Sequence, residues 1–287
     1  MTKTKKKLIV IFTSVFLVVA VAVGVIAWGN KALMVTEITI ESEKLPESFN
    51  GFRIAHVSDL HNDEFGKDNV KLISLIEKCN PDIIAITGDI FDSHQTDVDI
   101  SIEFAKKAAQ ISPCYYVAGN HEQRVPEAYE KLLKAFEKIG ITVLDNKVVE
   151  IERAGQSINV LGVSDPGFET DYLFGDTEYV LRTHLEDIVK DKESFNLLLS
   201  HRPELFDVYE DFDLDLVLTG HAHGGQFRLP FVGGLYAPNQ WIFPEYDAGL
   251  YTEDGTNMIV SRGIGNSLFP FRINNRPEVI MVTLTNS

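Results

Sequence analysis

Cysteine is scarce: Cys79 and Cys114 are the only two in 287 residues, which excludes a fold built on disulfides. Each precedes an apolar, strand-like run, so neighbouring strands could bring the pair within bridging reach; two buried free thiols are the other reading. Positive charge is scarce too. Beyond Lys3, Lys5, Lys6 and Lys7 the chain carries 22 Lys and Arg against 42 Asp and Glu, a formal charge of −20. A body that acidic repels phosphate backbones, so no nucleic-acid binding through a broad basic face is expected. Low-complexity stretches and linkers are missing, and 45% hydrophobic with 24% charged residues excludes a disordered chain. The length suits one large or two modest domains with a full hydrophobic core.

What is present begins with residues 8–28, an uncharged run of 21 opening on Leu8 and closing on Trp28. At about 1.5 Å per helical residue it spans roughly the 30 Å hydrocarbon core of a bilayer. It exceeds the ~7–15 apolar residues of a cleaved signal core, although Ala20, Ala22 and Ala27 supply the small residues that cleavage would use. The sequence thus predicts a single-pass anchor in the cell membrane. The lysines ahead of it stay in the cytoplasm, and everything from Asn30 lies outside it. The expected organisation is a basic tail over 1–7, the anchor over 8–28, a connector and opening hairpin strand over 29–51, and a catalytic domain over 52–287.

Residues 34–40 alternate like a strand, turn residues follow, and 52–57 is an apolar run, which together predict a hairpin. Next come helices over 70–79, 100–111 and 126–139, the last started by Pro126 and stopped by Gly140, with strands 83–87 and 115–118 between them. That alternation implies a parallel sheet covered by helices. Beyond Thr142 the pattern turns to strands, over 148–151, 158–163, 195–199, 214–218, 258–260 and 279–284, interrupted by a helix over 177–189. The reading is one two-layered α/β sandwich domain.

Ligands bind at the carboxyl ends of strands in such sheets, and here those ends are rich in donors. The first runs into Ser58-Asp59-Leu60-His61, where a two-residue spacing in extended chain would point Asp59 and His61 the same way. The next reach Gly88-Asp89 with Asp92, then Gly119-Asn120-His121-Glu122, Ser200-His201, and Gly220-His221-Ala222-His223. Singly, each is explained as a turn or a hydrogen-bonded histidine. Together they offer oxygen and imidazole ligands without thiolates, a set suited to Mn²⁺, Zn²⁺ or iron and large enough for two ions.

Through Asp59-Leu60-His61, Gly88-Asp89 with Asp92, Gly119-Asn120-His121-Glu122, His201 and Gly220-His221-Ala222-His223, all in order, the chain resembles the calcineurin-like metallophosphoesterases. The membrane segment, Gly224-Gly225-Gln226, Ser261-Arg262-Gly263 and Arg276-Pro277-Glu278 resemble its membrane-associated bacterial branch. The resemblance implies a β-sandwich flanked by helices. It further implies two divalent metal ions, one held by Asp59, His61 and His223, the other by Asn120, His201 and His221, with Asp89 bridging. His121 would then face the substrate oxygen, oriented by Asp92. Where the family more often has Asp, this chain has Glu122. Where its protein phosphatases carry arginine after the Asp-x-x-Asp pair, this chain has Ser93, which argues against a phosphoprotein substrate.

Charge supports this assignment: two divalent cations less Asp59 and Asp89 leave a net positive site inside an acidic domain, able to activate hydroxide and clamp phosphoryl oxygens. Arg262 and Arg272 are candidates to grip a substrate phosphate, or ordinary salt-bridge residues. His94 could line the site, while His56 and His184 read as structural. Phe231, Tyr236, Trp241, Phe243 and Tyr246 form either a packed loop or a substrate- or lipid-facing lip. The expected function is phosphodiester or pyrophosphate hydrolysis on envelope or lipid-linked phosphoesters. The alternative is an envelope-binding protein that keeps the fold without turnover.

Overall fold

The computed structural model describes residues 2–170 and 176–286. Strands that alternate side chains between two apolar surroundings build its centre. In Glu278–Thr285, Val279 and Met281 face one core while Ile280, Val282 and Leu284 face another; Ile83–Thr87 divides in the same way, because successive side chains leave a strand on opposite faces. Two six-stranded sheets result. One core lies between them, joining Ile54 and Ala85 of one sheet to Leu197, Leu216 and Leu218 of the other. A second covers the first sheet's outer face with helices Val70–Lys78, Val98–Ala108 and Pro126–Ile139 through Ile76, Phe104 and Phe136. A third packs helix Thr177–Ile188 on the opposite outer face. The domain is the helix-flanked two-layered β-sandwich of α/β type.

The first sheet runs in the order Met34–Glu41, Glu278–Thr285, Phe52–Val57, Ile83–Thr87, Cys114–Val117, Thr142–Val143. The second runs Gly249–Glu253, Thr256–Val260, Leu216–Thr219, Asn196–Leu199, Gln156–Gly162, Lys147–Arg153. Both are parallel at the middle, so the strands carrying the donor-rich turns end on one side. The expected opening hairpin is not formed. Met34–Glu41 pairs in parallel with the C-terminal strand, which inserts between it and Phe52–Val57 and runs antiparallel to the latter. Local pattern sets which face a strand buries, but its neighbour is decided by burial available across the whole chain. Cys79 and Cys114 are both free thiols.

The N-terminal helix Lys3–Gly29 buries none of its residues and is long and apolar enough to cross a membrane. Its end is nonetheless clamped to the domain. Asn30 donates to the Arg272 carbonyl at 2.8 Å and accepts the Arg272 amide at 2.7 Å. Arg276 donates to the carbonyls of Ala32 and Leu33, each at 2.7 Å, and lies over the Trp28 ring.

Candidate metal centre

The donor-rich turns leave the sheets through backbone that side chains rarely adopt. Asp59, His61, Asp89, His221 and His223 all have positive φ, between 45° and 64°. Such strain persists only where surroundings over-determine it and is concentrated at functional sites. The extended-chain argument for Asp59 and His61 therefore fails. They follow strand Phe52–Val57, and the positive-φ turns bring the ligand atoms of both side chains together. Hydrogen bonds between turns brace this arrangement: the Asp59 amide to Gly88, the His61 amide to the Asp89 carbonyl, and the His121 amide to Asp89 Oδ1 at 2.8 Å. Gly88, at φ +82°, permits the crowding, since a Cβ there would stand 2.5 Å from the Gly119 nitrogen and 2.9 Å from His201 Nδ1.

Asp59, His61, Asp89, Asn120, His201, His221 and His223 are all buried and converge. Among the described residues, Asp59 with His61 and His223, and Asp89 with His201 and His221, have ligand atoms close enough to share an ion; so do His61, Asp92 and His121, a third grouping that overlaps the first at His61. Asn120 Oδ1 joins the second, 3.2 Å from His201 Nε2. Asp89 lies between them, its Oδ2 at 3.6 Å from His61 Nε2 and 3.3 Å from His201 Nε2. In the first grouping, His61 Nε2 and His223 Nε2 are 3.1 Å apart, both aimed at one point.

Divalent cations fit this donor set. Two buried carboxylates facing imidazole nitrogens would be costly without compensating charge. His201 Nδ1 donates to the Thr87 carbonyl at 2.7 Å, so the proton shed on metal binding is the one on Nε2, leaving the tautomer that a metal-binding imidazole needs. His221 turns Nε2 toward Asn239 Oδ1 at 3.2 Å, which leaves its Nδ1 for the site. In the protein alone, burial would lower the pKa of His61 and His201, but carboxylates outweigh it. Hydrogen bonds to Asp59 and Asp92 raise His61 to about 9, and Asp89 raises His201 to about 10. Asp59 and Asp89 are held below the usual carboxylate range, the desolvation that opposes this being outweighed by the histidines.

His121 sits beside these groupings, its Nε2 at 3.9 Å from Asp89 Oδ2. Its orientation comes from a partner that the sequence did not suggest. The Ser93 amide donates to His121 Nδ1 at 2.9 Å, so a neutral ring carries its proton on Nε2. Asp92 Oδ2 is 3.9 Å from His121 Nδ1 but 3.5 Å from His61 Nδ1, and it braces His61 more closely than the residue it was expected to orient. Burial lowers the His121 pKa to about 4, so the ring is neutral near pH 7.

Glu122 is more than a variant of a family position. Its buried carboxylate accepts the amides of Gly119, Asp89 and Ile90 at 2.8, 2.9 and 2.9 Å, tying two turns together. Burial, with Asp89 close by, raises its pKa to about 7. Arg124, which the sequence reading passed over, approaches His121 Nε2 at 3.4 Å and lines the mouth of the site; its proximity to His121 by one helical turn was the available signal.

Arg272 is buried rather than presented to a substrate. Its guanidinium donates to the carbonyls of Arg262 and Gly265 and contacts His223 Nδ1 at 3.3 Å. Arg262 lies 3.8 Å from Glu278. His94 lines the mouth; His56 is buried against Thr87, and His184 pairs with Glu169. The aromatic stretch divides. Tyr246 packs in the third core and Tyr236 lines the mouth, while Phe231, Trp241 and Phe243 are exposed.

The family model for calcineurin-like phosphoesterases matches residues 52–225, and the chain belongs to that family. It is 30% identical over 262 residues to the uncharacterized metallophosphoesterase YkuE of Bacillus subtilis, with 88% of this chain and 85% of that protein covered. It is also 30% identical over 247 residues to phosphodiesterase YaeI of Escherichia coli, covering 81% and 82% of the two chains. Among solved structures, TT1561 of Thermus thermophilus aligns with a TM-score of 0.52 at 13% identity, over 75% of this chain and 90% of that one, a likeness of fold.

Proposed function

We propose that the protein is a dinuclear phosphoester hydrolase, a phosphodiesterase or pyrophosphatase rather than a protein phosphatase, anchored with its catalytic domain outside the cytoplasm. The observation that carries this is the position of Asp89, within 3.6 Å of ring nitrogens from both ligand groupings. Asp59, His61 and His223 would hold one divalent cation and Asn120, His201 and His221 the other, with Asp89 reaching both. When bound, Mn²⁺, Zn²⁺ or iron supplies the Lewis acidity that makes water nucleophilic near neutral pH and neutralises phosphoryl oxygens. His121 is the catalytic residue of the chain itself: the Ser93 amide holds its Nδ1, and Nε2–H donates to an ester oxygen of the substrate. Arg124 adds positive charge at the mouth. The name of YaeI is consistent with diester chemistry, and Ser93 in place of an arginine supports that preference. The lysines before the anchor favour an external domain, which makes envelope or lipid-linked phosphoesters the accessible pool.

The test is metal content and hydrolysis of bis(para-nitrophenyl) phosphate, para-nitrophenyl phosphate and a phosphopeptide by the full chain in detergent. Measurements are made before and after chelation and on readdition of each metal. Diester turnover that vanishes on chelation and returns with metal supports the proposal. In Asp89→Ala the loss should exceed the roughly 10–100-fold that an outer-shell partner is worth, and Asn120→Ala should lose less. Activity untouched by chelation, or wild-type metal content in Asp89→Ala, overturns the two-metal reading, and phosphopeptide preference overturns the substrate class.

A further inference from the structure

The end of the anchor forms one wall of a groove of about 520 Å³. Val23, Ile26 and Ala27 face Pro270 and Phe271 across it, so its sides are apolar. Asp63 and Asn266 close the far end, and with Pro270 they also line the next hollow, which continues to His61, Asp92 and His94. That hollow passes Ser267 and Leu268 into the mouth holding His121 and His223. The path therefore runs from an apolar cleft on the membrane helix to the ligand groupings. Asp63 does not bar an anionic head, because Lys31 Nζ stands 3.2 Å from it and the Asn266 amide donates to it at 3.0 Å.

The groove's position is set by the clamp at Asn30 and Arg276 described above, which leaves no loose linker between anchor and domain. Its apolar wall belongs to the last turns of a helix able to cross a membrane, so the cleft opens at the bilayer's edge. Phe271 in the groove and Leu268 in the hollow beyond it remain 42% and 67% exposed, a disposition that water disfavours and lipid does not.

We infer that this groove receives the hydrocarbon chain of a bilayer lipid and delivers its phosphoester head to the metal centre, so that the substrate is drawn directly from the membrane. The inference rests on the phosphoesterase reading and narrows it to lipid substrates. Polar heads follow the Asp63–Asn266 step while the chain stays between Ala27 and Phe271.

The experiment compares hexadecyl para-nitrophenyl phosphate with methyl para-nitrophenyl phosphate, which share a leaving group and differ in the chain, using the full protein in one detergent. The hexadecyl ester should be preferred in kcat/KM by at least about tenfold, a factor worth as few as about two buried methylenes. Phe271→Asp and, independently, Ala27→Trp on the exposed helix face should lower that ratio about fivefold or more, micellar partition being common to all variants. Ratios in both variants within about twofold of wild type would overturn the groove, since buried methylenes would then contribute nothing. A phosphatidic acid probe with a diazirine in its acyl chain reads the groove without turnover. Labelling enriched at residues 23–27 and 270–271 supports it, and labelling spread evenly along the helix overturns it. No hydrolysis of either ester with any metal, together with enriched labelling, would overturn the hydrolase reading and leave the groove standing.

Discussion

Glu122 holds Asp89 by its backbone: carboxylate Oε2 accepts the Asp89 amide at 2.9 Å, while the same side chain binds Gly119 and Ile90. Removing it in Glu122→Ala leaves three buried amides without an acceptor, each costing about 1–3 kcal/mol. The variant should lose about 3 kcal/mol or more of stability in denaturant unfolding and bind metal roughly 10–100-fold more weakly. Glu122→Gln, which keeps an acceptor oxygen, should fall between. Wild-type stability and metal content in Glu122→Ala would show that this tie does not hold Asp89 in place.

His121→Ala should keep its metals and separate two diesters by leaving group. The neutral His121 Nε2–H stabilises by a hydrogen bond the charge that develops on the leaving oxygen, which an alkoxide needs more than a nitrophenolate, so the alkyl diester should lose about 10²–10³-fold in kcat and the nitrophenyl diester far less. Asp92→Asn behaves differently, because Asp92 lies nearer His61 than His121. It should weaken metal binding and slow both substrates together. Equal losses with lost metal in His121→Ala would make His121 a ligand.

Metal uptake should release protons. In the protein alone His61 titrates at about 9 and His201 at about 10, carboxylates outweighing burial, so both rings are protonated at pH 7 and must shed a proton to ligate. Affinity therefore rises with pH up to those values, about tenfold per unit for each proton displaced. Calorimetry in buffers of different ionisation heat measures the release. Binding independent of pH between 6 and 8 would show that neither proton is displaced.

On the proposed orientation, with the Lys3 to Lys7 cluster inside, the full chain should fractionate with membranes and protease added outside intact cells should digest the domain. A chain beginning at Asn30 should be soluble and keep its metal centre, because the described anchor helix buries none of its residues. Protection from external protease would reverse the orientation.

Much of the candidate site was legible in the sequence because ligand chemistry is discriminating. Few residue types coordinate divalent cations, and in parallel sheets they gather at strand ends, so Asp59, Asp89, Asn120, His201 and His221 announce themselves by position. Helix Pro126–Ile139 was legible to the residue, since Pro at its first position and Gly140 at φ +88° act through local backbone sterics alone. The long apolar N-terminal helix was legible by length.

Tertiary structure alone decided the rest. Whether the C-terminal strand enters between Met34–Glu41 and Phe52–Val57 depends on pairings more than two hundred residues apart, which a period of two in side-chain direction cannot encode. Arg272 reads in the sequence as either a phosphate ligand or a salt-bridge residue, and only the fold surrounds it with the carbonyls of Arg262 and Gly265. His121 reads as Asp92's partner until the chain folds the Ser93 amide onto its ring. The groove between Ala27 and Phe271 brings together residues more than 240 positions apart, beside the contacts of Asn30 with Arg272. Sequence determined which groups can ligate and which segment can cross a membrane, because those properties belong to single residues and short runs. Which donor meets which acceptor belongs to the packed interior, where distant segments compete for the same space and the same hydrogen bonds.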